Sequence, residues 1–471
     1  MSSRPAKPRL SRQLPGMPVA APVRIVHLGV GNFHRAHQAW YTTNAPNSAE
    51  WGIAAFTGRR PDVADALRPQ DGLYTLITRS ADSDTFDVIG SVSAVHPAAD
   101  HEAYLAYLSH PEVTVMTITV TEAGYLRGPG GHLDINRSVV QADLAALRSD
   151  ARAPVTSLPA KLVAGLVARR VAGEGAITVL SCDNLPHNGS VTATVVKDLA
   201  AELDASLAGW IDDQVDFATS LVDRITPATT DDDRALVARD LGFEDAAPVP
   251  TEPFSEWVIS GRFPGGRPTW QYAGARIVED VTPYEQRKLS LLNGSHSLMA
   301  YAGSVRGHVT IDEAIADPDC RSWVESFWSE ASHHLSLPAE SVADYRRALL
   351  DRFSNPRVRD QLRRIAADGS AKLPVRIVPT TLAERAAGRL PVGCATAFAG
   401  WLLHLRGLGA PIKDEGAEAA LAAAAADSLD AAAAAVLDTL HPGLGEDRDL
   451  VHLVVEQARV LTSPASKASA I

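Results

Sequence analysis

The sequence predicts an α/β fold, with a doubly wound, mostly parallel sheet in the N-terminal part and a mostly α-helical C-terminal part. Short apolar runs typical of buried strands alternate with helical patterns up to about residue 180. A glycine-rich turn directly follows the first apolar run. Beyond about residue 280, strand patterns become scarce and long helical patterns dominate.

Length and composition restrict the class of protein. A chain of 471 residues is too long for one hydrophobic core, so we expect an N-terminal arm (residues 1–22), a first domain (23–280) and a second domain (281–471). Five prolines and several basic residues predict that the arm is either poorly ordered or strapped down. The 44 basic and 56 acidic residues give a net charge of −12, which argues against a nucleic-acid partner.

The cysteines and the apolar runs indicate the compartment. Cys182, Cys320 and Cys394 are far apart and form no CxxC pair. They therefore predict neither a disulfide framework nor a metal site, and they fit a reducing compartment. The first residues contain no apolar signal-peptide core, and no run of about 18 apolar residues predicts a membrane helix. We expect a cytoplasmic protein without a membrane partner.

The elements follow in order from the apolar pattern. Residues 23–28, Val-Arg-Ile-Val-His-Leu, indicate a buried strand. The further predicted strands cover residues 53–56, 74–78, 88–95, 113–120 and 176–180. Helices are predicted between several of them, at residues 62–67, 102–109 and 161–172. In the second domain, helices are predicted at residues 284–301, 320–335, 341–353 and 357–368, with several more between 390 and 461.

The glycine-rich turn is the first candidate site. Gly29 and Gly31 follow the first strand, and a helix that begins near Phe33 can follow them. In a dinucleotide-binding turn the first glycine allows the tight bend, and the second lets a pyrophosphate approach the backbone at the helix N-terminus. His34 stands where the fingerprint has its third glycine. An ordinary strand-to-helix turn remains the alternative.

The segment after the second strand bears on which dinucleotide is bound. A site for NAD usually has Asp or Glu at the end of this strand. Here the chain continues Thr-Gly-Arg-Arg-Pro over residues 57–61, and Asp62 is the first acid. Arg59 and Arg60 could therefore meet the 2′-phosphate of NADP, or they could be two solvated surface arginines.

A lysine-centred cluster is the second candidate site. On an α-helix, Lys288, Asn293 and His296 fall within an arc of about 140° and could face one site. Gly294 costs such a helix about 1 kcal/mol relative to alanine, so it could serve the close approach of a ligand or of another backbone. The alternative is a surface lysine and a core histidine.

Six segments in this order resemble the polyol-specific long-chain dehydrogenases, typified by mannitol 2-dehydrogenase and fructuronate reductase. The resemblance covers about residues 23–460. The segments are residues 29–37 (Gly-Val-Gly-Asn-Phe-His-Arg-Ala-His), 121–125 (Thr-Glu-Ala-Gly-Tyr), 181–184 (Ser-Cys-Asp-Asn), 222–227 (Val-Asp-Arg-Ile-Thr-Pro), 288–296 with its Lys, Asn and His, and 364–374 with Asp-Gly-Ser and a lysine. The missing third glycine is usual in this family.

The resemblance implies a Rossmann-type first domain, a helical second domain and metal-free hydride transfer between a nicotinamide and a sugar alcohol or ketose. It implies NAD as the cofactor, although the arginines leave NADP possible, and often a monomer. The implied catalytic residues are Lys288, Asn184, Asn293, His296 and Glu285. The implied substrate-binding residues are Asp223, Arg364 and Lys372, and the cofactor-binding residues are Gly29, Gly31, Asn32, Phe33, Arg35 and Arg59.

Two departures from the family leave the substrate and the cofactor open. Ala123 stands where many members have lysine, and the segment 57–60 lacks the acids of NAD-preferring members. The alternatives are therefore a reductase of a sugar acid, such as fructuronate or tagaturonate, and a dinucleotide-binding protein without turnover.

The implied chemistry suits these residue types. A lysine with the reference pKa of about 10.4 is mostly protonated at neutral pH, so burial or nearby positive charge must lower the pKa of Lys288 before it can act as a base. The cationic nicotinamide and Arg364 are possible sources of that charge. The amides of Asn184 and Asn293 would donate hydrogen bonds to the developing alkoxide.

Overall fold

The computed structural model describes residues 7–463. The chain divides into two compact units, Met1–Val281 and Thr282–Ile471. The predicted arm begins with six residues that lie outside the described range. In residues 7–22, Leu10 is fully buried and its N–H donates to the Glu244 carbonyl at 2.8 Å, so this part of the arm is strapped down.

The first unit contains eleven strands within its described residues. They are β1 (Val23–Leu28), β2 (Gly52–Phe56), β3 (Tyr74–Arg79), β4 (Asp84–Ile89), β5 (Val92–His96), β6 (Val115–Ile118), β7 (Ile177–Ser181), β8 (Val215–Asp223), β9 (Val249–Thr251), β10 (Glu256–Ser260) and β11 (Arg276–Ile277). Its helices are α1 (Asn32–Ala36), α2 (Gln38–Asn44), α3 (Asp62–Leu67), α4 (His101–Leu108), α5 (Ser138–Ser149), α6 (Leu158–Val171), α7 (Asn188–Leu203), α8 (Ala205–Gln214) and α9 (Asp231–Leu241).

The main sheet has the order β11-β10-β8-β7-β6-β1-β2-β5. The strands from β8 to β5 run parallel, whereas β10 is antiparallel to β8. The buried neighbours Ile25 and Val26 point into separate apolar clusters, so both faces of β1 are covered. The doubly wound, Rossmann-type fold is therefore confirmed, with the reversal of strand order beside β1.

The predicted strand at residues 88–95 is divided between two strands. Ile89 ends β4 in a small sheet of order β4-β3-β9, and Val92 begins β5 in the main sheet. The arm contacts the chain at this break, where the Arg12 guanidinium donates to the carbonyls of Gly90 at 3.0 Å and Val92 at 2.8 Å. The sequence pattern also missed β8, whose apolar run is interrupted by polar residues, and β10, whose apolar run is only three residues long.

The second unit is helical throughout its described part. Its helices are α10 (Thr282–Arg287), α11 (Ser295–Leu298), α12 (Ile311–Ala316), α13 (Pro318–Ser332), α14 (Ala339–Phe353), α15 (Leu362–Ile365), α16 (Gly369–Arg376), α17 (Val378–Ala386), α18 (Val392–Leu405), α19 (Glu418–Ala424), α20 (Leu429–Leu440) and α21 (Arg448–Thr462). Two π-helical segments, Lys288–Gly294 and Met299–Gly303, continue α10 and α11.

The predicted helix at residues 357–368 is wrong except for the single turn of α15. The preceding segment pairs with residues 309–311 instead, since Ile311 donates to the Asp360 carbonyl and Leu362 to the Val309 carbonyl, both at 3.0 Å. None of the helices between residues 7 and 463 combines the length and the hydropathy that crossing a membrane requires.

Candidate active site

The glycine turn after β1 has the geometry that the sequence predicts. Gly29 has φ +103°, and a Cβ on it would lie 2.0 Å from the Thr119 carbonyl oxygen. The N–H groups of Gly29 and Val30 both donate to the Phe56 carbonyl at 2.9 Å, which ties the turn to the end of β2. A Cβ on Gly31 would have its nearest neighbour 3.8 Å away, so space remains for a group that approaches the backbone.

Arg35 supports this turn from inside the unit. Its guanidinium is buried and donates to the carbonyls of Gly31 at 3.3 Å and Ala247 at 2.5 Å and to Asn32 Oδ1 at 2.6 Å. The Asn32 amide in turn donates to the Pro227 carbonyl at 3.1 Å. The Arg35 guanidinium thus forms three hydrogen bonds within the protein. Phe33, two residues before it, is half-buried.

His34, in the place of the third glycine, packs into the core. Its ring stacks on His27 with the centroids 3.3 Å apart, and both residues are fully buried. His27 Nδ1 lies 2.8 Å from Thr117 Oγ1. Burial lowers the pKa of His27 to about 3 and holds the pKa of His34 well below its usual range, so both rings are neutral at pH 7.

The predicted groups of the first unit collect at one edge of the sheet. The carboxyl ends of parallel strands share an edge, where doubly wound folds bind their ligands. The glycine turn follows β1, Arg59 follows β2, Asn184 follows β7, and Asp223 is the last residue of β8. Asn184 and Arg59 are exposed, and Asp223 is buried.

Tyr125 and Asp183 form a hydrogen-bonded pair at this edge that the sequence reasoning left without a role. The Tyr125 hydroxyl donates to Asp183 Oδ2, and the other carboxylate oxygen accepts from the Leu185 N–H at 3.1 Å. Burial raises the pKa of both groups. The pair fixes the backbone on either side of Asn184. The sequence could have pointed to Tyr125 and Asp183, because both lie within the segments that resemble the family.

Arg224, the residue after Asp223, is held by backbone carbonyls and lies beside an aromatic ring. The Arg224 guanidinium donates to the carbonyls of Ala36 at 2.6 Å and Glu252 at 3.2 Å and lies 4.8 Å from the Trp40 ring. Burial lowers the pKa of Arg224 to about 10. Asp223 pairs in register with Glu256 of the antiparallel β10.

In the second unit, the lysine cluster lies on a π-helical turn and not on a regular α-helix. Lys288 begins the π segment and Asn293 is its sixth residue. The i→i+5 bonds of a π-helix put one more residue in each ring than in an α-helix, so residues five apart come nearer to one face. The 140° arc expected from an α-helix is therefore too wide. Lys288 is 9% exposed, whereas Asn293, His296 and Glu285 are half-buried.

Groups from α13 and α16 hold the π turn. Trp328 Nε1 donates to the Leu291 carbonyl and lies equally close to Ser295 Oγ, both at 2.9 Å. A Cβ on Gly294 would lie 2.5 Å from the Phe327 ring, so this glycine serves close packing within the unit. Arg376 Nη1 lies 3.4 Å from the Asn293 carbonyl and 3.2 Å from Ser297 Oγ.

The two predicted substrate cations have different settings. Arg364 is three-quarters exposed and pairs with Asp360 at 2.6 Å. Lys372 is half-buried and donates to the carbonyls of Ile365 at 3.3 Å and Ala367 at 2.6 Å, and burial lowers its pKa. Arg376, one turn beyond Lys372 on α16, contacts the π turn through its guanidinium. The spacing of four residues between Arg376 and Lys372 was the available sequence signal.

One cluster of the second unit has metal-ligand residue types but the wrong electrostatics. His308, Asp317 and Cys320 bring potential ligand atoms within 4.8 Å of one another. However, Asp317 Oδ2 already accepts from Arg306 Nε at 2.6 Å and lies 2.8 Å from His308 Nε2. Burial raises the pKa of the Cys320 thiol. A cation would face a guanidinium and a protonated thiol, so we assign no metal here.

The fold and these groups define a two-unit protein with a Rossmann-type dinucleotide-binding sheet. Residues 23–272 match the mannitol dehydrogenase Rossmann domain, and residues 280–461 match the mannitol dehydrogenase C-terminal domain. The chain belongs to the mannitol dehydrogenase family, which confirms the resemblance found in the sequence.

The relatives carry the names of both polyol and sugar-acid enzymes. The chain is 40% identical over 398 residues to a mannitol 2-dehydrogenase of Pyrenophora tritici-repentis, covering 82% of this chain and 69% of that protein. It is 38% identical over 395 residues to the D-mannonate oxidoreductase of Escherichia coli, covering 82% and 80%.

Two solved structures share the fold along nearly the whole chain. A substrate-free D-sorbitol dehydrogenase superposes with a TM-score of 0.87 at 30% identity, covering 98% of this chain and 100% of the other. The Pseudomonas fluorescens mannitol 2-dehydrogenase, in a ternary complex with NAD and D-mannitol, gives 0.75 at 34% identity, covering 96% and 94%.

Proposed function

We propose that the protein is an NAD(P)-dependent oxidoreductase that interconverts a sugar alcohol and a ketose without a metal ion. The observation that carries this proposal is the π turn, on which a buried lysine lies one i→i+5 step from the Asn293 amide. The named activities of the relatives and solved structures support the same reaction class.

The glycine turn fits a dinucleotide. Gly29 brings the chain against β6, and the open side of Gly31 lets a pyrophosphate approach the backbone N–H groups. Asn32 and Phe33 follow at the start of α1, and Arg35 keeps the turn in shape from inside. When bound, the nicotinamide supplies or takes the hydride.

Lys288 moves the proton. During oxidation its amine takes the proton of the reacting hydroxyl, and during reduction its ammonium returns one to the carbonyl oxygen. The amides of Asn184 and Asn293 donate hydrogen bonds to that oxygen and stabilise the charge that develops on it. Glu285, three residues before Lys288, passes the proton on toward solvent.

The remaining groups orient the substrate. His296 and Asp223 bind hydroxyls of the polyol, since an imidazole and a carboxylate can both accept from them. Lys372 and Arg364 donate to further hydroxyls.

The test is nicotinamide absorbance with the purified protein. NADH and NADPH are screened against fructose, tagatose, fructuronate and tagaturonate, and the oxidised cofactors against mannitol, arabinitol and sorbitol. Turnover with a ketose and its polyol supports the proposal. Bound dinucleotide without turnover on any of these compounds would overturn it and leave a binding protein without catalysis.

A sugar acid is the second candidate substrate. The cations of Lys372 and Arg376 on successive turns of α16, together with the D-mannonate oxidoreductase relative, favour it. Turnover with only the ketouronates, with a KM that rises steeply with ionic strength because salt screens the substrate charge, would select this alternative.

A further inference from the structure

The segment that follows β2 carries two arginines beside the glycine turn. The Phe56 carbonyl, at the end of β2, accepts the N–H groups of both Gly29 and Val30 at 2.9 Å. The chain therefore leaves β2 in direct contact with the turn on which a dinucleotide would bind. In the doubly wound fold, this position faces the adenine-side ribose.

This segment is anchored at its first residue and exposed beyond it. The Thr57 N–H donates to the His96 carbonyl at 3.0 Å, and its Oγ1 accepts from the Ala98 N–H at 2.9 Å. Thr57 is buried, whereas Arg59 and Arg60 are exposed. Within residues 7–463, neither guanidinium forms an ion pair or a hydrogen bond with a protein group.

The segment also lacks the group that would favour an unphosphorylated ribose. A carboxylate at the end of the second strand accepts from the ribose hydroxyls of NAD and repels a phosphate there. The first acid here is Asp62, which already belongs to the first turn of α3. Between the end of β2 and Asp62 the chain carries two guanidiniums instead, and each can bind a phosphate through paired N–H donors.

We propose that Arg59 and Arg60 form a subsite for the 2′-phosphate of NADP(H), so that this chain binds NADPH more tightly than NADH. The inference rests on the function proposed above, in which a dinucleotide lies on the glycine turn. It separates this chain from the Pseudomonas fluorescens mannitol 2-dehydrogenase, whose complex holds NAD.

Binding measurements test the subsite without turnover. The full chain is titrated with NADPH and NADH by fluorescence, and with adenosine 2′,5′-bisphosphate and adenosine 5′-monophosphate by calorimetry. In the variant Arg59→Ser with Arg60→Ser, the affinity for both 2′-phosphorylated compounds should fall at least about tenfold, the scale of a lost charge-assisted hydrogen bond. The affinity for NADH and the monophosphate should stay within about twofold.

Arg262→Ser is the control for an exposed arginine away from the glycine turn, although Arg262 pairs with Asp216 at 3.1 Å. This arginine follows β10 at the opposite edge of the sheet, and its side chain is 82% exposed. The control should bind all four compounds as the unmodified protein does. Arg59→Asp goes further and should reverse the preference toward NADH.

Equal affinity for NADPH and NADH in the unmodified protein, or equal losses for both in the double variant, would overturn the inference. A 2′-phosphate preference that the double variant abolishes, in a protein that turns over none of the polyols, ketoses or uronates, would keep the subsite and overturn the proposed function. Absence of binding by any of the four compounds to the folded chain would overturn both.

Discussion

The Thr119 carbonyl oxygen stands 2.0 Å from the place that a Cβ on Gly29 would occupy. No side chain fits there, and φ at Gly29 is +103°. At Gly31 the nearest atom to such a Cβ is 3.8 Å away. The first glycine is therefore required by the packing of the turn against the end of β6, whereas a Cβ on Gly31 would fit within the protein itself.

Substituting these two glycines should separate stability from binding. Gly29→Ala forces a backbone shift and should cost about 3 kcal/mol of unfolding free energy, seen as a lower Tm. Gly31→Ala should leave the Tm nearly unchanged but weaken dinucleotide binding in a fluorescence titration. A loss of stability as large in Gly31→Ala as in Gly29→Ala would contradict this division.

Lys288→Ala should abolish proton transfer but preserve dinucleotide affinity. General acid–base catalysis contributes a factor of about 100 to 10,000, so kcat should fall by at least about 100-fold. Steady-state kinetics and a binding titration measure the two effects. Lys413→Ala, an exposed lysine of the same unit, is the control. Turnover at the unmodified rate in Lys288→Ala would rule out the catalytic role.

Gly294→Ala should disturb the π turn by overpacking. The new methyl group would lie 2.5 Å from the Phe327 ring, and such a clash costs about 1–3 kcal/mol. Adding Phe327→Leu should return part of that stability because the smaller side chain makes room. Urea unfolding of both single variants and the double variant gives the coupling free energy. Strict additivity would show that the two positions do not clash.

Arg12 should stabilise the first unit through the arm. Its guanidinium donates to backbone carbonyls of Asp71, Pro18, Gly90 and Val92 at 2.6–3.1 Å. Arg12→Ala leaves these carbonyls without that donor and should lower the unfolding free energy by about 3 kcal/mol. Arg9→Ala, an exposed neighbour, should change it by less than about 0.5 kcal/mol. Equal losses of unfolding free energy in the two variants would contradict the stabilising role of Arg12.

The stacked pair of His27 and His34 should make the protein sensitive to acid. Burial lowers both pKa values, so the unfolded chain binds protons below about pH 6.5 while the folded rings stay neutral. The stability that these neutral rings contribute is thus full above pH 6.5 and falls toward pH 3, with about 2 kcal/mol lost at His27 by pH 5 and a loss in the same direction at His34. His34→Gln should reduce the fall in unfolding free energy between pH 7 and pH 5, measured by urea unfolding. The exposed His132→Gln should not; the same slope in both variants would exclude the pair as its source.

The sequence succeeded where the local pattern and the tertiary environment agree. The alternation of apolar runs and helices predicted the doubly wound sheet, and α3 begins and ends where predicted, at residues 62–67. It failed at residues 88–95 and 357–368, where distant segments compete for the backbone. Arg12 binds the backbone carbonyls at the first of these, and residues 309–311 pair with part of the second.

The candidate site shows the same division. Residue types and spacing singled out Lys288, Asn293 and His296, but they could not predict the π turn. That turn accepts hydrogen bonds from Trp328 and Arg376, which lie far along the chain. The roles of these residues in turnover stay predictions until they are measured.

The sequence by itself determined the family and the division into a sheet-containing and a helical part, because these follow from short motifs and local periodicity. The candidate catalytic groups followed from the resemblance to that family. The tertiary structure alone decided that Gly29 must be glycine, that Arg35 faces inward to support the turn and that Lys288 and Asn293 lie on a widened helical turn. Each of these depends on an atom contributed by a remote segment: the Thr119 carbonyl, the Ala247 carbonyl and the Trp328 indole. Such long-range contacts leave no periodic trace in the chain.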